Sequence, residues 1–433
     1  MDKPNVLFIF SDQQHKYALG RITPVYRTPS LDHLCEEGVC FSHAYSSNPV
    51  CGPYRGCLMT GLMTCRNGVD HNNDPLPEGR PLLAEEYNMA GYETGFVGKW
   101  HLGGKGAGPI PKNLRGGFTH FIGYQCYNGF DPAPPYNNDV TFYDESDQAW
   151  RLPIHRTQAT TELGIQMLNR FSECGKPFFL MIGYQAPHYP EQPLKEFELL
   201  YKEDDFDDPS PQPEPYTPTY NPRSPANREE CPDYRRYGGR MAKYKQLYAA
   251  MVSQIDAGVG KLIDTLKRLN IYDNTIIIYT SDHGDMQGSR GLTNKCLPYE
   301  KSAGVPLVVR MPDGMSGKTL STPVDTTDLF ATLSSICGSQ YLGDGQDLTD
   351  LLRSDDCNYS EKNAVSMYTI GSSPWAMLME RSYKLIVSYP ALEPVELYDL
   401  SNDPDEQRNL IEDINEQARI SHMLNILTRR IIP

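Results

Sequence analysis

The side chains able to do chemistry recur at one kind of place in this sequence, just after a short apolar run. Ser11-Asp12-Gln13 follows Val6–Phe10, and Gly98-Lys99-Trp100-His101 follows Glu93–Val97. Ala186-Pro187-His188 follows Phe178–Tyr184, and Ser281-Asp282-His283-Gly284 follows Thr275–Thr280. Taken singly, each has an ordinary reading: Asp12 caps a helix, His101 or His188 is a satisfied core imidazole, and the last tetrapeptide is a turn. Brought to one edge of a sheet, they become a constellation. Asp12, Gln13, Asp282 and His283 then make a divalent-cation site. Its carboxylate and amide oxygens suit Ca²⁺ or Mg²⁺, and the imidazole widens the range to Mn²⁺. Lys99, Arg55 and Lys295 supply the positive charge that neutralises a tetrahedral oxyanion. One metal with several cations suits an ester of sulfate or phosphate.

Cys51, in Cys51-Gly52-Pro53-Tyr54-Arg55, is the remaining reactive side chain. Pro53 is expected at the first position of a helix, which places Cys51 just before a helix N-terminus. The partial positive charge there favours an anion or a lowered thiol pKa. A plain structural thiol is the alternative, as is a Cys51, Cys57, Cys65 cluster, but that cluster lacks a recognised zinc spacing.

The elements that must position these groups are legible as periodicity. Short apolar runs alternate with helical patterns, the rhythm of a mainly parallel sheet flanked by helices. Strands are predicted at Val6–Phe10, Glu93–Val97, Phe178–Tyr184, Thr275–Thr280 and Pro306–Arg310, with continuous hydrophobicity that fits burial on both faces. Helices are predicted at Ser30–Glu37, Leu82–Ala90, Thr157–Phe171, Met241–Leu269 and Asp325–Ile336, with Gly91 as a C′ residue. Open α/β sheets bind ligands beyond the carboxyl ends of their strands, which is where the polar tips fall. After about residue 339 the runs shorten and gain polar flanks: Ala364–Tyr368, Trp375–Glu380, Tyr383–Ser388 and Glu396–Asp399, then a helix over Asn415–Ile431. The expected organisation is therefore a catalytic domain over 1–338 and a smaller α+β domain with an antiparallel sheet over 339–433. The 196–240 stretch is Pro- and Asp-rich with no apolar period, a surface loop or a substrate-facing lid.

The bulk composition excludes some classes. The net charge of −15 argues against binding nucleic acid or anionic membranes, and no apolar run approaches the ~20 residues of a membrane span. Eleven cysteines, an odd number without a CxxC pair, read as reduced thiols. Val6–Phe10 is shorter than a secretory apolar region. A cytoplasmic location is the expectation, with a periplasmic or secreted one as the alternative if a leader has been removed.

These motifs carry a resemblance. Cys51-x-Pro53-x-Arg55 resembles the sulfatase motif in which the cysteine is oxidised to formylglycine (3-oxoalanine). Around it, in order, stand Asn5–Asp12, Gly98-Lys99-Trp100-His101-Leu102-Gly103, Ala186-Pro187-His188, Ser281-Asp282-His283-Gly284, and Lys295 before Tyr299-Glu300. Glu396-Leu397-Tyr398-Asp399-Leu400, Asp403-Pro404 and Asn409-Leu410 look like the family's closing segment. A lone CxPxR is weak, but the match runs in register along nearly the whole chain.

The resemblance implies an alkaline phosphatase-like fold and a formylglycine at position 51, hydrated to a geminal diol. One hydroxyl, held by the metal, attacks sulfur and displaces the alcohol. The other then loses its proton and expels sulfate. By motif position, Cys51 joins Asp12, Gln13, Asp282 and His283 around a metal, Ca²⁺ being the first expectation and Mg²⁺ or Mn²⁺ the alternatives. Arg55 and Lys99 would steady the diol, His101 would help the elimination, and His188 and Lys295 would hold the sulfate and protonate the leaving oxygen. The implied partners are a sulfate ester, by analogy on a carbohydrate, and a formylglycine-generating maturation enzyme.

The sequence also departs from the family pattern. Gln13 stands where a second Asp is common, and His283 where Asn is common. Both look like the phosphonate monoester hydrolases, a sister group with the same nucleophile, so a phosphonate monoester or phosphodiester hydrolase is the alternative function. Lys99 and His101, where that group tends to have tyrosine and threonine, tilt the expectation toward sulfate. Tyr54 is bulkier than the residue usual between Pro and Arg, which bears on cysteine conversion. A binding protein that keeps the fold without the chemistry is the third reading, and no position of the constellation has been lost to support it.

Overall fold

The computed structural model describes residues 3–106, 108–126, 140–207, 240–354 and 362–432. Most of the Pro-rich stretch (208–239) and residues 127–139 lie outside the described residues.

In chain order the first eight strands are β1 (Asn5–Asp12), β2 (Val39–Phe41), β3 (Ala44–Tyr45), β4 (Glu93–Lys99), β5 (His120–Tyr124), β6 (Phe142–Asp144), β7 (Ala149–Trp150) and β8 (Phe178–Pro187). The next eight are β9 (Thr275–Ser281), β10 (Leu307–Arg310), β11 (Lys318–Leu320), β12 (Val324–Asp325), β13 (Asn363–Tyr368), β14 (Trp375–Glu380), β15 (Tyr383–Ser388) and β16 (Pro394–Asp399). Ten of them make the main sheet, in the order β11-β2-β10-β9-β1-β8-β4-β5-β6-β7.

The middle of that sheet, β9-β1-β8-β4-β5, is parallel throughout, and β1 and β8 are buried at every residue. That is what unbroken Val/Leu/Ile/Phe runs require when helices cover both faces. The strand read at Pro306–Arg310 forms as β10, but it runs antiparallel to β9, as do β6 against β5 and β7 against β6. Antiparallel pairing is thus confined to the flanks of the sheet, which are mixed, since edge strand β11 pairs parallel with β2.

Apolar residues on one face of the sheet pack with the Arg156–Ser172 and Met241–Arg268 helices. The other face packs with the Cys51–Thr60, Leu83–Met89 and Thr326–Cys337 helices. The last of these starts on Asp325, whose carboxylate accepts from the Thr327 N–H at 2.9 Å. Gly91 adopts the positive φ of a C′ residue, as the sequence suggests.

Residues 363–399 form a second, four-stranded antiparallel sheet, β13-β14-β15-β16. One of its faces packs on Tyr45, Met286, Leu297 and Tyr299. The other is covered by the Gln417–Ile431 helix through Ile420, Met423, Leu427 and Ile431. Among the described residues, no helix is long and apolar enough to cross a membrane.

Candidate active site

The site grows from the carboxyl ends of neighbouring strands. β1 ends on Asp12, and Gln13 turns away with φ 77°. β4 ends on Lys99, followed by His101 with φ 59°. β8 ends at Pro187, just before His188, and β9 ends just before Asp282 and His283. Lys295 sits in the following loop between Asn294 and Cys296, both at positive φ (66° and 74°). Non-glycine residues reach this region only at a cost. Its recurrence here marks a place where the chain is bent to aim side chains.

Cys51 is the first residue of the Cys51–Thr60 helix. Pro53 is therefore the third helical residue, not the first as the sequence reading had it. The helix still tolerates it, because its first four N–H groups have no intrahelical acceptor. The first such bond is from Tyr54 N to Val50 O, 2.9 Å. Gly52 N instead donates to Asn72 Oδ1 at 2.9 Å. Part of the polar 67–77 loop is thereby pressed against the start of this helix, a contact with no sequence signal beyond polarity. Tyr54 packs into the core beneath, 6.4 Å from the Phe10 ring.

Around the Cys51 Sγ lie Lys295 Nζ at 3.1 Å, His283 Nε2 at 3.3 Å, Asp12 Oδ1 at 3.5 Å and Lys99 Nζ at 3.9 Å. Lys99 also donates to Asp12 Oδ2 at 2.5 Å. Arg55 bridges both carboxylates, with Nη2 at 3.2 Å from Asp12 Oδ2 and from Asp282 Oδ2. Its Nη1 donates to the Lys99 carbonyl, and its guanidinium lies 4.8 Å from the Phe10 ring centroid. Asp12, Lys99, Asp282 and His283 are completely buried. His188 donates from Nδ1 to the Tyr189 carbonyl at 2.9 Å, which makes Nε2 the acceptor nitrogen of the neutral ring, and the ring also hydrogen-bonds the Cys51 side chain.

The charges interlock. Burial pushes the Asp12 carboxyl up, as does Cys51, but Lys99, His188 and Lys295 hold it well below the usual carboxylate range. Burial, with Asp12 and Cys51 adding to it, pushes Asp282 up to about 6. Burial also pushes the Cys51 thiol up, yet Lys295, Lys99 and His283 keep it well below the ordinary thiol range. His101 falls to about 4 through burial and then Lys99, so its imidazole is neutral near pH 7. The Arg55, Lys99 and Lys295 cations match the Asp12 and Asp282 carboxylates and the Cys51 thiolate, and exceed the two carboxylates wherever position 51 carries no charge, a positive bias toward an anionic group.

Oxygen and nitrogen atoms of Asp12, Asp282 and His283 and the sulfur of Cys51 all lie within 4.8 Å of one another. Two buried carboxylates crowded this closely fit a cation between them. The Cys51 thiol is a soft donor among hard ones, whereas an oxygen-bearing oxidised side chain would complete an oxygen-rich set suited to Ca²⁺, Mg²⁺ or Mn²⁺. The donor set therefore fits the expected metal. Gln13, expected among the ligands, turns its Nε2 to Asp285 Oδ2 (2.5 Å) and its Oε1 to Lys295 Nζ (3.1 Å). The structure thus brings the ten residues singled out in the sequence to one end of the sheet. It adds Asp285, which the sequence does not single out, and Asn72, which the sequence places with Asp70, His71 and Asn73 in a polar stretch open to two readings, a surface loop or a substrate contact.

The fold is of the alkaline phosphatase type, and at the end of its doubly covered parallel sheet a buried cysteine at a helix N-terminus meets two carboxylates, imidazoles and three cations. The chain belongs to the sulfatase family, whose profile matches residues 4–339, and the C-terminal profile of N-sulphoglucosamine sulphohydrolase matches 288–431. It is thus a sulfuric ester hydrolase. It is 28% identical to an ulvan-active sulfatase of Formosa agariphila over 82% of this chain and 66% of that protein. It is 29% identical to a choline-sulfatase of Rhizobium meliloti over 95% of this chain and 83% of that one. Its fold matches a structure solved with its substrate D-glucosamine-2-N,6-O-disulfate (TM-score 0.83, 21% identity, 99% of this chain and 98% of that). It also matches the phosphonate monoester hydrolase of Agrobacterium radiobacter (TM-score 0.76, 21% identity, 99% and 95%).

Proposed function

We propose that this chain hydrolyses a sulfate ester of a carbohydrate to the alcohol and inorganic sulfate, with Cys51, oxidised to formylglycine, as the attacking residue. The observation that carries the reading is the placement of Cys51 Sγ at a helix N-terminus, 3.1 Å from Lys295 Nζ and 3.3 Å from His283 Nε2. The sugar assignment rests on relatives such as the ulvan-active sulfatase and an N-acetylglucosamine-6-O-sulfatase of Bacteroides thetaiotaomicron. A maturation enzyme that oxidises Cys51 is the partner this chemistry requires.

Asp12, Asp282, His283 and the oxidised Cys51 would hold a divalent cation, Ca²⁺ first and Mg²⁺ or Mn²⁺ next. When bound, it supplies Lewis-acid polarisation and charge neutralisation. The chain's own groups do the rest. Arg55 fixes both carboxylates in place. Lys99 and Lys295 offer N–H donors to the sulfate oxygens, a preorganised field for charge that develops in the transition state. Lys295 carries a proton to give to the departing oxygen; His188, whose Nδ1–H is tied to the Tyr189 carbonyl, can share that role only as the imidazolium, with Nε2 protonated as well. His101, neutral near pH 7, accepts the proton whose loss expels sulfate.

A phosphonate monoester or phosphodiester hydrolase is the second reading, favoured by Gln13 and His283 and by the similar phosphonate monoester hydrolase fold. Relative kcat/KM on an aryl sulfate and an aryl phosphodiester separates the two, and a phosphodiester preference sinks the first. Mass spectrometry of the peptide carrying residue 51, from a host with the maturation enzyme, is expected to show the aldehyde. Only unmodified cysteine there, or full turnover by Cys51→Ala, would overturn the nucleophile.

A further inference from the structure

Asp285 lies two residues beyond His283, is completely buried, and has no part in the chemistry described so far. Its carboxylate is nonetheless fully engaged. Oδ2 accepts from Gln13 Nε2 at 2.5 Å and from the Tyr244 hydroxyl at 2.6 Å. Oδ1 accepts from the backbone N–H of Gln287 at 2.9 Å and of Asn294 at 3.2 Å. Gln13 passes this anchorage on, for its Oε1 receives Lys295 Nζ at 3.1 Å. The same ammonium stands 3.1 Å from Cys51 Sγ.

Chemistry alone fixes which way the Gln13 amide points. A carboxylate only accepts and an ammonium only donates, so Nε2 must face Asp285 and Oε1 must face Lys295. The Gln13 backbone is pinned as well: its N–H donates to Asp282 Oδ1 at 3.0 Å and its carbonyl accepts from Tyr248 OH at 2.7 Å. Asp285 also reaches Lys295 from the other side, because the Asn294 N–H that it holds belongs to the residue before the lysine. Met286 N to Asn294 O, 2.8 Å, ties the same loop.

We propose that Asp285 is a positioning residue that sets the Lys295 ammonium against the reacting centre, acting through the Gln13 side chain and the Asn294 backbone. The arrangement gives Gln13 a physical reason. A carboxylate at position 13 would face Asp285 at hydrogen-bond distance and add negative charge where an anionic ester must approach. The neutral amide orients the lysine without that charge.

The inference rests on the reading that Lys295 engages the sulfate, and its test is built as a cycle on the intact protein. In Asp285→Asn one acceptor oxygen replaces two, so the four donors cannot all be satisfied, and an amide NH₂ turned toward Gln13 flips that side chain and presents N–H groups to Lys295. The kcat/KM for an aryl sulfate is expected to fall about tenfold or more, and calorimetric Kd for inorganic sulfate to weaken by a similar factor. Gln13→Glu alone should lose activity by a like amount. Combined with Asp285→Asn it should recover most of the loss, because a carboxylate can accept from both the new amide and Lys295. A residue that only braced the loop would not be rescued from position 13. Asp285→Asn within about twofold of the parent in both measurements, or a double variant no better than Asp285→Asn, overturns the proposal. Gln13→Met, which leaves every loop bond of Asp285 intact, keeps it testable if Asp285→Asn does not fold: unchanged sulfate affinity in that variant overturns it too. A parent that does not cleave aryl sulfate sinks the sulfatase reading, whereas an active parent with an indifferent Asp285 sinks only this one.

Discussion

At the scale of single residues, Arg55 shows how one side chain serves structure and chemistry together. Its guanidinium bridges Asp12 and Asp282, donates to the Lys99 and Trp100 carbonyls, and lies over Phe10, all away from solvent. Burial opposes its charge, but Asp282 and Asp12 more than offset this and raise its pKa. Removing it leaves two buried carboxylates short of a partner, a loss of about 3–5 kcal/mol. Arg55→Ala should therefore move the denaturant midpoint as well as turnover, while Cys51→Ala should abolish turnover with the midpoint nearly unchanged. An Arg55→Ala protein as stable as its parent would show that Arg55 acts on the chemistry alone.

At the scale of elements, what was legible in the sequence was what local pattern encodes. The central strands β1, β4, β8 and β9 could be read because each is an apolar run buried on both faces, and their polar ends mark the site. The short strands β2, β5, β6, β7 and β11 escaped notice, since two to five residues with mixed polarity carry no period. Strand direction escaped too: β10 has the same apolar look whether parallel or antiparallel. Asp285 was missed for a related reason. Its role exists only once β1, the 284–294 loop and the Met241–Arg268 helix meet, and no spacing along the chain announces that. Just below Lys99 the elements also set a tolerance. Gly98 has φ +112°, and a Cβ there would sit 2.1 Å from the Gly183 carbonyl oxygen of β8. Gly98→Ala must then push β4 from β8 at the level of Lys99, or strain the backbone. A stability loss of at least about 2 kcal/mol is expected, with reduced kcat/KM. A melting temperature equal to the parent's would refute the tight approach.

At the scale of the whole molecule, the C-terminal sheet is joined to the catalytic part by a buried ionic knot. Lys384 of β15 pairs with Glu300 and Glu406 (2.8 Å to Glu406), Lys16 pairs with Glu300, and Glu300 N–H donates to Glu406 Oε2 at 2.9 Å. Beside it Arg290 stacks 4.0 Å over the Tyr299 ring, and Tyr299 and Tyr398 both donate to Glu396. Glu300 follows the Lys295 loop directly, so the knot fastens one end of the segment that carries the lysine. Lys384→Met would strand two buried carboxylates against Lys16 alone, at a cost of about 3–5 kcal/mol. The sign of the pH dependence follows from the same contacts. Burial pushes Glu300 up, but Lys16 and Lys384 outweigh it and hold the carboxyl well below its ordinary 4.5, a larger shift than the opposite one that burial and Glu300 give Glu406. A carboxyl depressed by folding stabilises the native state at pH above its unfolded value, and that stability is lost as pH falls below it. The parent protein should therefore lose stability progressively below about pH 4.5, where the unfolded state takes up the proton first. In Lys384→Met the stability at neutral pH should be lower and its fall with acid shallower, because part of what protonation removes has already gone. Parallel acid-denaturation curves for the two proteins, merely offset, would show that the knot is not where the pH dependence arises.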